Sequence, residues 1–289
     1  MIKYNPKSWF KHIISLNQSD TLSKLWKELI AIGLLTVGIA HLEVKYIENT
    51  EPFDSLMQVY SLVGFALSLL LVFRTNTAYD RWWEGRKKWG ELVNNTRNLS
   101  LKINAVCSSK EDRAYFKRMI SNYAFAMKEH LRDGVDLAQL ELTEEELKEI
   151  STYGHKPNYI LKRMYERLEG LKKSGVLSEE GYIVVDTNMK SFSDIIGACE
   201  RIKNTPIPYS YSIFFKKFIF IYVTTLPLAF VNSFGYYSCL VSIFVFYILV
   251  SMEILAEEIE DPFGTDDNDL PTDGLSQIIK ENVYEILAD

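Results

Sequence analysis

The sequence predicts an all-α protein that crosses a membrane four times and carries a helical domain on one side of it. Three observations lead there: uncharged runs of bilayer length, charged stretches with helical periodicity between them, and an excess of Lys and Arg beside the ends of the runs. The 289 residues carry a net charge of −6, but acid and base are unevenly placed. The first 28 residues hold Lys3, Lys7, Lys11, Lys24 and Lys27 against Asp20 and Glu28, so the surplus of acid lies further along.

Residues 1–28 mix Trp9, Phe10, Ile13, Ile14, Leu22, Leu25 and Trp26 with those lysines, a pattern expected of a segment lying along the membrane surface or packed on a soluble domain. Residues 29–102 follow as two membrane helices, the second with a cytosolic extension. Leu29–Leu42 is 14 uncharged residues, short for a crossing unless Trp26 and Tyr46 sit at the interfaces. Ser55–Phe73 is uncharged over 19 positions, and as a helix would cross about 28 Å of hydrocarbon. No proline falls between Pro52 and Pro157, so this helix can run past Arg74 into water.

Phe65, Leu69 and Phe73 recur on one face of that helix, and Gly64 and Ser68 form a small strip on a neighbouring face. From its residues the bulky face reads first as lipid contact or bundle core, with a hydrophobic constriction around a pore as the competing reading. The loop before Ser55 holds Glu43, Glu48, Glu51 and Asp54 with only Lys45, whereas Arg74–Lys102 holds seven basic residues. The positive-inside rule then puts the N-terminus and the segment after Arg74 in the cytoplasm.

Residues 103–208 read as a cytosolic helical domain. Tyr115, Met119, Ile120 and Tyr123 mark one helix, Thr143 with Glu146 signals a capping box, and Gly170–Val176 is expected to be a linker, since it lacks P-loop spacing. In Ser178–Lys203, Val185, Met189, Phe192, Ile196 and Cys199 alternate steps of four and three as a seam, with Ile183 off it. Pro206 and Pro208 end that helix, and Tyr209, Tyr211, Phe214 and Phe215 form an aromatic belt beside Lys216 and Lys217.

Residues 209–252 supply the third and fourth membrane helices. Phe218–Met252 is uncharged for 35 residues, about 52 Å as one helix, so it must fold back, with Asn232–Gly235 as the turn and a kink at Pro227. Residues 253–289 form an acidic loop and a C-terminal amphipathic helix with Leu275, Ile278, Ile279, Val283, Ile286 and Leu287 at helical spacing.

Cys107, Cys199 and Cys239 are far apart, and His12, His41, His130 and His155 are scattered without a Glu-x-x-His pair, so neither a disulfide framework nor a zinc site is indicated. A membrane-bound enzyme holding a metal on Glu257, Glu258, Glu260 and Asp266 would lack a nucleophile or redox partner. A structural scaffold recruiting a partner through Ser178–Lys203 is a further reading.

Three motifs then carry a resemblance: Phe73-Arg74-Thr75-Asn76-Thr77-Ala78-Tyr79-Asp80-Arg81-Trp82-Trp83-Glu84-Gly85-Arg86, Cys199-Glu200-Arg201-Ile202-Lys203-Asn204-Thr205-Pro206-Ile207-Pro208, and Asp261-Pro262-Phe263-Gly264-Thr265-Asp266-Asp267-Asn268-Asp269. In this order they resemble the bacterial branch of the bestrophins. The resemblance implies a homopentameric ion channel of the bacterial inner membrane with both termini cytoplasmic, not an enzyme, passing small monovalent ions and binding no nucleic acid. It places Phe65, Leu69 and Phe73 at the pore neck and Ile183 at the cytosolic aperture. Animal members hold Ca²⁺ in a clasp whose positions Asp266 and Asp269 match; Thr265 and Asn268 stand here where acids would, so the expectation is a structural loop without a cofactor. Animal bestrophins pass anions and bacterial members resemble monovalent cation channels. The acid surplus leans towards cations (Na⁺-like), with an anion (chloride) channel of the same architecture as the alternative.

Overall fold

The computed structural model describes residues 21–46, 55–134 and 136–288, and every regular element among them is helical. Residues 1–20 of the expected surface segment and 47–54 of the expected outer loop lie outside the described residues. The helices are α1 (Thr21–Tyr46), α2 (Leu56–Val106), α3 (Lys110–Leu131), α4 (Glu144–Thr152), α5 (Lys156–Lys173), α6 (Glu179–Asn204), α7 (Tyr209–Thr225), α8 (Pro227–Phe234), α9 (Ser238–Glu260) and α10 (Thr272–Ile286). The described residues group into two compact units: those up to Arg81 with Pro206–Glu260, and those of Trp82–Thr205 with the segment from Asp261 onward. At 51 residues, α2 passes unbroken from one unit to the other, as the absence of proline allows.

Among the described residues three stretches are long and apolar enough to cross a membrane: Thr21–Tyr46, Leu56–Val106 and Tyr209–Glu260. The last folds back on itself. Pro227 opens α8 after a break at Leu226, and Gly235, at φ 54°, reverses the chain in a conformation that costs glycine little. α7 and α9 then lie side by side, and Lys216 in the middle of one pairs with Glu257 near the end of the other. Ile32, Leu67, Leu71, Phe215, Ile219, Val223, Phe246 and Leu249 form the unit's core. Phe215 therefore leaves the aromatic belt expected of it: it is fully buried, whereas Tyr209 and Phe214 face outward. α1 is longer than its uncharged run, taking in the turns before Leu29, where Thr21 and Leu25 are buried.

The second unit is a helical bundle around Trp89, Phe116, Tyr123, Met164 and Phe192. The α6 seam forms as its spacing requires, with Val185, Met189, Phe192, Ile196 and Cys199 all buried. Tyr123 stacks 4.8 Å from Phe192 and donates to its carbonyl at 2.7 Å. Thr143 and Glu146 make the reciprocal capping box at the start of α4, and Ser178 caps α6 through Gly181 N–H. The expected linker is shorter than its composition implied, since α5 continues to Lys173 and only the turn from Ser174 leaves the helix. α10 docks on α3 through Leu275, Ile279 and Val283, while Ile278 points outward.

Candidate functional site

The uncharged half of α2 has three distinct faces. Leu67 and Leu71 are buried in the core of their unit. Gly64 lies against Tyr222 of α7: a Cβ there would come within 2.5 Å of the phenol oxygen, so the small residue permits the approach. Tyr222 donates to Tyr60 O at 3.2 Å, and Tyr60 donates to Thr225 O at 3.0 Å, which ties the two helices together. On the opposite side, roughly 200° round the helix from Leu67, Phe65 stands 69% exposed, and Leu69 and Phe73 are 46% and 55% exposed. Leu62 continues this stripe at 70%, a member the four-residue spacing alone did not pick out. Along α2 the hydroxyls of Ser61, Ser68, Thr75 and Thr77 donate to carbonyls four residues back, so these polar groups satisfy themselves within the helix.

What fixes the rotation of α2 is a buried charge. Arg74 continues the inward face of Leu67 and Leu71 and is fully enclosed. Its Nη2 donates to Glu260 Oε2 at 2.7 Å, and its Nε lies 3.5 Å from Glu253 Oε1. Glu260 Oε1 also accepts from Ile207 N–H at 2.6 Å, and Arg81 Nε donates to the Glu260 carbonyl at 3.0 Å. Turning α2 to bury Phe65 would pull Arg74 from both carboxylates and leave them enclosed and unpaired. The sequence marked Arg74 as the end of an uncharged run and as a member of the first motif; its partners, 179 and 186 positions away, carried no local signal. The acids weighed as metal ligands are otherwise engaged: Glu260 holds Arg74, Glu257 pairs with Lys216 and Glu258 pairs with Lys24.

Ile183 lies near the start of α6 in the second unit, off the seam and 66% exposed. Nearby, Lys102 Nζ donates to Val184 O at 2.8 Å and also bonds Asn188, which holds this end of α6 to α2. In the acidic loop, Phe263 and Leu270 are buried, and Leu270 N–H closes the loop on Pro262 O at 2.9 Å. Asp269 is also buried. Its Oδ2 accepts from Asp266 N–H at 2.6 Å, whereas the Asp266 side chain faces solvent, so the two candidate ligands take separate roles. Burial pushes the Asp269 carboxyl up to about 6. Trp82 Nε1 donates to Asn268 O at 3.0 Å, and Gly85 leaves room for the Phe263 ring, within 3.1 Å of where a Cβ would stand.

Apolar helices of crossing length, outward-facing aliphatic and aromatic side chains and an arginine enclosed against carboxylates define an integral membrane protein of the all-helical class. The chain belongs to the bacterial and fungal bestrophin family, whose signature it matches over residues 1–285. A protein of Nostoc sp. called a voltage-dependent anion channel-forming protein is 32% identical over 289 aligned positions, covering 98% of this chain and 92% of the relative. One of the same description from Escherichia coli K12 is 29% identical, covering 99% and 94%. Among solved structures, a bestrophin homologue from Klebsiella pneumoniae superposes with a TM-score of 0.82 at 27% identity, covering 92% of this chain and 99% of that one. Family membership of this kind makes the chain a channel-type membrane protein and sets aside the metal-dependent enzyme.

Proposed function

We propose that the protein is a homopentameric channel for small monovalent ions, with Phe65, Leu69 and Phe73 of five subunits forming a hydrophobic neck. The observation that carries this reading is the outward stripe itself. Three large apolar side chains are held away from the subunit's own core by the enclosed Arg74 on the inward face of the same helix. Four membrane crossings per chain, α1, α2, α7 with α8, and α9, leave both termini on the cytoplasmic side of the bacterial inner membrane. Ions pass where five such stripes surround an axis wide enough to stay wet. Ile183, exposed near the start of α6, forms the cytosolic aperture of the same path. The acidic loop is a structural corner without bound calcium, a role supported by the bond from Asp266 N–H to Asp269.

The names of the relatives favour anions over the cations to which the acid surplus pointed. Net charge is a poor guide here because Glu253, Glu257, Glu258 and Glu260 are each set against a cation and so contribute little field of their own. In reconstituted bilayers, Phe65→Ala, Leu69→Ala and Phe73→Ala are each expected to raise single-channel conductance by easing dewetting, and Ile183→Ala to alter discrimination by ion size. Unchanged currents in all three neck variants would remove the neck. The sign of the reversal potential under a salt gradient separates anion from cation permeation, and native mass measurement in detergent tests the pentamer.

A further inference from the structure

The second unit brings together three side chains that the sequence keeps far apart. His130 lies at the end of α3, His155 caps the start of α5 and Glu200 lies near the end of α6. Glu200 Oε1 receives both rings, at 2.7 Å from His130 Nε2 and 2.9 Å from His155 Nε2. The rings are 4.2 Å apart between centroids. Among the described residues this is the one group of three His, Cys or acidic side chains whose donor atoms lie within 4.8 Å of one another. The side chains are 24%, 28% and 30% exposed, enough for a hydrated ion to reach them and for water to complete its shell.

We propose that His130, His155 and Glu200 form a binding site for a divalent transition-metal ion of the zinc class, joining α3, the start of α5 and α6. Two imidazoles and one carboxylate are a donor set that suits zinc and its neighbours, and poorly suits calcium or magnesium, which take oxygen shells. Bond lengths near 2.05 Å at a tetrahedral angle require donor atoms about 3.3 Å apart. The observed 2.7 and 2.9 Å therefore need to open by about half an ångström at two partly exposed rings. His155 Nδ1 accepts from Asn158 N–H at 3.2 Å, which places the proton of the metal-free ring on Nε2, where it donates to Glu200. His130 Nε2 faces the same oxygen. When the ion takes the place between them, each Nε2 becomes a lone-pair donor. The His155 ring proton moves to Nδ1, and the cap contact to Asn158 is given up. The site makes no use of the pore, and its test measures no current.

The full-length protein in detergent, stripped with a chelator and titrated with Zn²⁺ or Co²⁺, is expected to take up one ion per chain. The Co²⁺ form is expected to show the visible bands of a low-coordinate site, and zinc-edge absorption to show two imidazole scatterers. His130→Ala, His155→Ala and Glu200→Gln each weaken uptake at least about tenfold, the loss typical of even an outer contact to a metal. His41→Ala, in the first unit, leaves uptake unchanged. The Glu200→Gln variant keeps an oxygen for the rings, so it tests the charge with the local packing preserved. Wild-type protein that takes up no ion, an absorption spectrum without imidazole, binding retained in the His130 and His155 variants, or binding lost with His41→Ala would each overturn the assignment. The spectrum is read on wild-type protein and so decides the question even where a variant fails to fold.

Discussion

In the unit built on α3 to α6, Phe116, Tyr123 and Phe192 are fully enclosed, while in the unit built on α1, α7 and α9, Leu34, Leu62, Phe65 and Phe244 stand 64–71% exposed. The same residue types thus obey opposite rules within one chain. The bundle is organised by removal of apolar surface from water. In the membrane unit that driving force is weak, because lipid is as apolar as leucine, so close approach of small residues and enclosed charge take over. Gly64 against Tyr222 and Arg74 between Glu253 and Glu260 are the two devices the structure uses. A polar group therefore orients the apolar helix, and apolar groups orient the polar ones.

Removing the orienting charge gives the largest expected effect. Arg74→Ala leaves Glu253 and Glu260 enclosed without their cation and is expected to cost about 3–5 kcal/mol, read as a lower thermal midpoint in detergent.

Truncating one aromatic in each unit tests the contrast directly. Phe192→Ala, in the bundle core, is expected to cost about 3–5 kcal/mol, whereas Phe65→Ala is expected to stay within about 0.5 kcal/mol while changing conductance. Equal destabilisation by the two would break the comparison. Gly64→Val places bulk where Tyr222 stands and is expected to cost about 1–3 kcal/mol, partly restored by Tyr222→Phe.

The smallest effects are titrations within the second unit. Burial raises Asp269 to about 6, so the fold prefers the protonated form. Its contribution is fully present below its ordinary value of about 4 and is lost as pH rises through about 6. Asp273 behaves oppositely: hydrogen bonds from Arg132, with Lys128 adding to them, lower it to about 2. Its contribution is present above about pH 4 and is lost as pH falls through about 2. Asp269→Asn is expected to flatten the decline of thermal midpoint between pH 4 and 6, and Asp273→Asn to lower the midpoint at neutral pH, both followed by circular dichroism.

Local periodicity made much of the architecture readable. The α6 seam, the Thr143 capping box, the Pro227 break and the turn at Gly235 all stand where their residues place them, because each depends on neighbours within a turn or two of helix. The stripe of Phe65, Leu69 and Phe73 was legible as a face, but not the direction in which that face points. Phe215 was misplaced in the belt for the same reason: its neighbours along the chain are interfacial, yet its position on α7 turns it into the core.

The amino-acid sequence by itself determined which segments are helical, which of them suit a membrane and where the chain reverses, since hydropathy, proline and glycine act over short distances. Tertiary structure alone decided that Arg74 meets Glu253 and Glu260, that Asp269 turns inward to Asp266, and that His130, His155 and Glu200 share one oxygen. These meetings join side chains on different elements, and helical spacing says nothing about which faces of two distant helices will touch.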